Sequence, residues 1–286
     1  MPHINATKKY PFTKMEGAGN DYIYFNCFDT NIPDPEKFAR ILSHRRFGIG
    51  GDGVVLICPS KTADAGMRMF NQDGSEGLMC GNAIRCVGKY LYDNGIVRRE
   101  TVTVSTPSGI KALTLFPKNG EIERVTVDMG SPELTPTKIP VKLGGDSVAG
   151  RTVPIAGGLW KITCVSMGNP HCVVFCEDPD GLDLEMLGPL FEHDPLFPER
   201  VNTEFVRVIS ENSLQMRVWE RGSGETWACG TGACAAAVAA VENGLCKKGA
   251  EITIHLRGGE LTVRYTDNGV FMTGPARRVF DGVVEI

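Results

Sequence analysis

One stretch of this chain occurs twice, so any fold it adopts has to build the same unit in two places. Residues Met67 to Gly95 read MRMFNQDGSEGLMCGNAIRCVGKYLYDNG, and residues Met216 to Gly244 read MRVWERGSGETWACGTGACAAAVAAVENG. At one constant offset (229 − 80 = 149), without a gap, Met67 falls on Met216, Arg68 on Arg217, Phe70 on Trp219 and Glu76 on Glu225. Cys80-Gly81 falls on Cys229-Gly230, Asn94-Gly95 on Asn243-Gly244, and Gly19-Asn20 on Gly168-Asn169. Two copies of one unit are expected, each with a cysteine at the same structural position.

The length of 286 residues suits two such units. With 42% apolar residues, 22% charged residues and 34 glycines, the composition is that of a globular chain with many tight turns. A net charge of −4 leaves no basic footprint and argues against nucleic acid as a partner. The opening MPHINATKKYPF lacks the apolar core of a secretory leader. The longest apolar run, Ala233 to Val241, is about half of what a membrane span needs. No membrane partner and a cytoplasmic location are therefore expected.

Ten cysteines accompany five histidines, but no C-x-x-C pair occurs, so neither a disulfide framework nor a zinc site is predicted. Cys27, Cys58, Cys164, Cys172, Cys176 and Cys246 are read as reduced thiols that pack like small apolar residues. Cys80 and Cys229 stand apart, because each precedes a glycine at a predicted helix start. A redox dithiol or a metal pair with Cys86 or Cys234 is disfavoured, since those spacings are unlike C-x-x-C and unlike each other.

Patterning along the chain supports the duplication. Aromatic and β-branched strands flank a Gly19-Asn20 turn, and Pro35 to Ser43 reads as a short helix capped by Asp34. The loop GIGGDG precedes a strand and lacks both G-x-G-x-x-G spacing and a Walker lysine, so it is not read as a phosphate site. The strand Gly66 to Phe70 leads through a loop into a helix from Cys80 to about Asp93, ended by Asn94-Gly95. Thr101 to Thr106, Ile110 to Phe116 and Arg124 to Asp128 alternate as strands do. Residues 131 to 155, rich in Pro, Gly and Thr, hold the expected domain boundary. The second half repeats the order, and the tail Arg277 to Ile286 reads as a strand that rejoins the first unit. The predicted class is α/β (α+β), with two pseudo-symmetric domains, each a curved, mostly antiparallel sheet or barrel around a central helix. The domains are 1–131 plus 275–286, and 132–274.

Duplicated units commonly meet about an approximate two-fold axis, which would oppose Cys80 and Cys229 across a cleft. A helix start offers unpaired N–H groups and a partial positive charge, which hold anions and lower a thiol's pKa. Donors near Gly81, Asn82, Gly230 and Thr231 would grip a carboxylate from both sides. A thiolate on one face of the neighbouring carbon removes a proton and a thiol on the other face returns one, inverting the centre. Fixed dipoles would have to stabilise the intervening carbanion. No motif calls for pyridoxal phosphate or another cofactor. The halves differ at Asn71, which becomes Glu220 beside Arg221, and after Asn169, where Pro170 and His171 follow. His171 and Glu220 are candidates for tuning the thiols.

These residues closely resemble the diaminopimelate epimerases. The resemblance rests on GAGNDY (17–22), RRFGIGGDG (45–53), FNQDGSEGLMCGNAIRC (70–86), MGNPHCV (167–173), ERVNTEFV (199–206) and ERGSGETWACGTGACA (220–235). It implies that family's fold of two similar domains and cofactor-free inversion of LL-diaminopimelate to the meso form. It further implies a homodimer serving lysine and peptidoglycan-precursor synthesis. By position, Cys80 and Cys229 correspond to the acid–base pair, and His171 and Glu220 to residues that adjust the thiols. Asn20, Asn71, Asn169, Asn202, Glu220 and Arg221 correspond to substrate-holding residues, with Gly81-Asn82 and Gly230-Thr231 on the reacting carboxylate. Many members carry glutamine where Gly53 stands, and tyrosine, at a position linked to dimer contacts, where Phe280 stands. Proline racemases and hydroxyproline epimerases also use two cysteines but typically carry histidine where Asn82 stands. Phenazine-type isomerases lack the cysteine pair, and a two-domain ligand-binding protein would leave both helix-start thiols unexplained.

Overall fold

The computed structural model describes residues 8–286; part of the segment read as lacking a leader, residues 1–7, lies outside them. Strands β1 (Lys9–Gly17) and β2 (Asn20–Asn26) are followed by helix α1 (Pro35–Leu42). Strands β3 (Gly53–Cys58), β4 (Ala65–Asn71) and β5 (Glu76–Gly77) then lead into helix α2 (Gly81–Asp93). Strands β6 (Thr101–Thr106), β7 (Gly109–Lys118), β8 (Glu121–Gly130) and β9 (Arg151–Ile155) come next. The later elements are β10 (Gly158–Ser166), β11 (Pro170–Phe175), α3 (Leu184–Glu192), β12 (Asn202–Ser210), β13 (Ser213–Glu220) and β14 (Gly224–Thr226). Helix α4 (Gly230–Glu242) precedes β15 (Glu251–Leu256), β16 (Gly259–Thr266), β17 (Gly269–Pro275) and β18 (Arg277–Glu285). The class is mixed α/β, dominated by sheet with few helices. The chain divides into two compact units, one running to Val125 and resuming at Ala276–Ile286, the other Thr126–Pro275, so the border falls inside β8.

Within each unit the strands pair in the same way. In the first, β1–β2 is antiparallel, β2–β3 parallel, β3–β4 and β4–β5 antiparallel, β4–β6 parallel and β6–β7 antiparallel. In the second, the identical series runs through β10, β11, β12, β13, β14, β15 and β16. Register follows too: Tyr22 sits opposite Gly53, and His171 opposite Asn202. β18 pairs antiparallel with β1 as β9 does with β10, so the tail strand completes the first unit's sheet. β9 lies in the stretch expected to hold the domain boundary. It is short, and just Val153 and Ile155 of its residues are buried, too little alternation to stand out in sequence.

Each unit has its own core. Tyr10, Phe12, Phe25 and Phe38 pack edge-on or tilted in the first, with ring centroids of Tyr10 and Phe38 4.9 Å apart. Asp34 accepts the Lys37 N–H at 3.0 Å and fixes the start of α1, which brings Phe38 inward. In the second unit Trp160, Phe191 and Phe205 meet edge to face. Gly188 lets α3 lie on Trp219, since a Cβ there would stand 2.2 Å from the indole. Helix α4 is apolar all round because strands β10 to β13 and β15 to β17 enclose it, and Ala233 to Ala240 are fully buried. Its alanines let those strands approach the backbone closely. Both cysteine helices stop at a left-handed glycine, Gly95 (φ 70°) and Gly244 (φ 71°).

Candidate active site

Each of the two cysteines is the N-cap of its helix. Cys80 (φ −133°, ψ 121°) and Cys229 (φ −121°, ψ 112°) share an extended backbone, and each sulfur accepts an N–H from the first turn. The distances are 3.5 Å from Ala83 N and 3.3 Å from Gly232 N. Helices ordinarily begin with Ser, Thr, Asp or Asn in this role. Cysteine in the same conformation in both units marks the position as chemical, since oxygen caps would serve structure better.

In the first unit, β2 begins at Asn20, whose Oδ1 lies 3.3 Å from the Cys80 sulfur. Asp52 accepts from the other end of that amide at 2.6 Å and from Asp21 N at 3.1 Å. Arg45 bridges Asp21 (2.7 Å) and Asp52 (2.8 Å), so the side chain that orients the thiol is itself clamped. The buried Lys14 ammonium adds an ion pair to Asp21 at 2.5 Å and a bond to Gly50 O. Asn71 turns into its own loop and donates to Ser75 Oγ at 3.0 Å. Gly81 and Asn82 are buried in the first turn of α2. Gly53 admits no side chain: a Cβ would stand 2.1 Å from Phe70 O and 2.9 Å from the Tyr22 ring.

In the second unit a chain of polar contacts leads from the core to Cys229. His171 Nδ1 is 2.7 Å from Glu204 Oε1, and both side chains are fully buried. His171 Nε2 is 3.0 Å from Asn169 Oδ1. Asn169 Nδ2 donates to Thr231 Oγ1 at 3.3 Å, and that hydroxyl is 3.5 Å from the Cys229 sulfur. His171 therefore reaches the thiol through Asn169 and Thr231. Glu220, at the end of β13, accepts from Thr226 Oγ1. Asn202 is fixed at both ends of its amide, donating to Pro170 O (2.8 Å) and accepting from Arg221 N (3.0 Å). The Arg221 guanidinium rests on Glu199 O at 2.9 Å.

These surroundings set the charge on the thiol. Burial raises the Cys229 pKa well above the ordinary cysteine value, Glu220 and Glu204 raise it further, and donation from Thr231 and Gly232 opposes them. The helix-start effect expected to lower it is outweighed, so Cys229 is held as a thiol. Burial also raises the Glu220 carboxyl, against the lowering by Thr226 and Cys229. Glu220→Gln removes a negative charge that favours the protonated sulfur, so the Cys229 pKa is expected to fall. Alkylation of Cys229, followed by peptide mass across a pH series, should then show its midpoint at lower pH than in the wild type. An unchanged or higher midpoint contradicts this account.

Sequence reasoning missed Asp52, Arg45 and Glu204. Asp52 lies in the glycine-rich GIGGDG loop and Glu204 within a strand, and neither carries a local signal of its partner. The first turn of α4 passes so close to Glu204 that a Cβ on Gly232 would stand 2.6 Å from its Oε1. Among the described residues, no group of three His, Cys, Asp or Glu is placed to hold a metal ion.

The sequence profile of the family described as Diaminopimelate epimerase matches residues 12–135 and 163–279. A diaminopimelate epimerase from Acetivibrio thermocellus is 53% identical over 277 residues, 96% of this chain and 98% of the relative. One from Desulfovibrio desulfuricans is 54% identical over 279 residues, 95% of this chain and 96% of the relative. A crystal structure of a Bacillus anthracis phenazine biosynthesis protein of the PhzF family superposes with TM-score 0.70 at 17% identity, covering 98% of this chain and 100% of that one. That likeness speaks for the fold alone. The profile and the near full-length relatives together make this chain a member of the diaminopimelate epimerase family.

Proposed function

We propose that the chain inverts one α-centre of LL-2,6-diaminopimelate to give the meso form, without a cofactor, using Cys80 and Cys229 as acid and base. The observation that carries the reading is the pair of cysteine N-caps, alike in dihedrals, in N–H acceptance and in the strands around them. The relatives' shared name supplies the substrate. The reacting carboxylate lies on the first-turn N–H groups of Gly81-Asn82 and Gly230-Thr231, where helix dipoles favour negative charge. As the α-proton leaves, charge moves onto those oxygens, and the same donors stabilise it. Cys229, held protonated, gives its proton to one face while Cys80 takes one from the other. Once Cys229 has lost its proton, repulsion from Glu220 and Glu204 favours its return, which resets the pair. Asn20, Asn71, Asn169, Asn202 and Arg221 hold the substrate, and Glu220 is matched to its ammonium charge. His171 acts as a positioning residue through Asn169.

Conversion of LL-diaminopimelate to the meso isomer by the purified chain, without added pyridoxal phosphate or metal, tests the assignment. Absence of meso product together with racemisation of L-proline overturns it. Among the described residues no helix is long and apolar enough to cross a membrane; we place the protein in the cytoplasm, where its ten cysteines stay reduced. We also propose a homodimer, because β18 carries three exposed apolar side chains, Val279, Phe280 and Val283. Phe280→Asp should halve the mass seen by sedimentation, and a monomeric wild type contradicts the dimer.

A further inference from the structure

The first unit brings two other sulfurs together. β2 and β3 run parallel with Asn26 opposite Ile57, and Cys27 N donates to Ile57 O at 2.8 Å. Cys27 and Cys58 are thus the next neighbours across the two strands, and each acts on the other's ionisation, Cys27 raised and Cys58 lowered. Both are half-buried, unlike the fully packed thiols the sequence led us to expect. Both line an open cleft of about 390 Å³ that also contains Arg68 of β4. Adjacent strands lie about 4.7–4.9 Å apart, inside the Cα separation of about 4.4–6.8 Å that a disulfide requires.

The duplication supplies an internal control. At the repeat offset Cys27 becomes Cys176, and Cys176 N donates to Val206 O at 2.9 Å in the same way. The position of Cys58, however, is taken by Arg207. The second unit therefore keeps the backbone and one thiol but lacks the pair, and burial with the nearby Asp178 raises the Cys176 pKa.

We propose that Cys27 and Cys58 form a peroxide-reactive dithiol that closes to a disulfide. The Cys58 thiolate attacks a peroxide oxygen, the O–O bond breaks, and hydroxide leaves to become water, giving a sulfenic acid. The Cys27 sulfur then attacks the Cys58 sulfur, the S–O bond breaks, and water departs with the Cys27 proton as the S–S bond forms. Two electrons pass from the thiols to the peroxide. The neighbouring Cys27 thiol and the Arg68 cation bring the Cys58 pKa down to about 7 against the effect of burial. Cys27 is raised by Cys58 and by burial, and stays protonated as the resolving thiol. Cys58 therefore carries more thiolate at neutral pH than an ordinary cysteine does.

The test treats the reduced full chain with stoichiometric hydrogen peroxide at neutral pH, alkylates the remaining thiols and maps peptides by mass. The expected result is a reductant-sensitive Cys27–Cys58 linked peptide that appears before Cys176 is consumed. Cys27→Ser should stop at a Cys58 sulfenic acid trapped by dimedone. The same linked peptide should form in a Cys80→Ala, Cys229→Ala background, and its loss there would mean that the oxidation came through the catalytic thiols. Free Cys27 and Cys58 when Cys176 is already oxidised, or Cys58 passing to sulfinic acid without the linked peptide, overturns the proposal.

Discussion

Alanine at either Cys80 or Cys229 is expected to lower turnover of diaminopimelate by at least about 10⁴-fold, the upper end of what one positioned acid or base contributes. The expectation follows from what inversion needs. Removal of a proton from one face is unproductive unless a donor waits at the other, so losing one thiol disables both directions. The binding groups remain, so KM should move far less than kcat. Loss of a sulfur N-cap costs the fold about 0.5–2 kcal/mol, small enough for circular dichroism and thermal melting to confirm that the variants are folded. Wild-type turnover in either single variant contradicts the assignment.

Gly232→Ala is the second change with a large expected effect. The new Cβ would stand 2.6 Å from Glu204 Oε1 and 3.2 Å from the Cys229 sulfur. Glu204 has nowhere easy to go, because it is buried against His171, and its other oxygen, Oε2, has no hydrogen-bond partner among the described residues. Relief must therefore come from the first turn of α4, which moves the Gly232 N–H away from the sulfur. Misplacing a reacting group in this way costs about 10²-fold in kcat, and overpacking adds about 1–3 kcal/mol of instability. Ala83 already occupies the equivalent place in α2, so Ala83→Gly should leave turnover within about tenfold and serves as the matched control. Steady-state rates of the two variants decide the matter, and equal, near-wild-type values would mean that the tight approach at Gly232 is not part of the site.

Much of this was legible in the sequence because the information is local or repeated. Asp34-Pro35 announces α1, Asn94-Gly95 ends α2, and one constant offset carries the cysteine, the Arg–Glu pairs and the strand order from one unit to the other. What stayed hidden depends on contacts between distant residues. Nothing near Glu204 predicts that it meets His171, and Asp52 draws its meaning from Asn20 across the parallel β2–β3 pair. The direction of the Cys229 shift was misjudged for the same reason. A helix start is visible in sequence, whereas the burial and the two carboxylates that outweigh it are not. At Gly53 the close approach of Phe70 O leaves no room for any side chain, glutamine included.

The central claim is that two different thiols serve the two faces of one carbon. It is tested most directly by following LL-diaminopimelate in deuterium oxide early in the reaction, before product returns. Two bases predict meso product carrying one deuterium at the inverted centre while the remaining LL substrate stays unlabelled. Deuterium entering recovered substrate as fast as it enters product would instead mean a single base exchanging its proton with solvent, and would contradict the account.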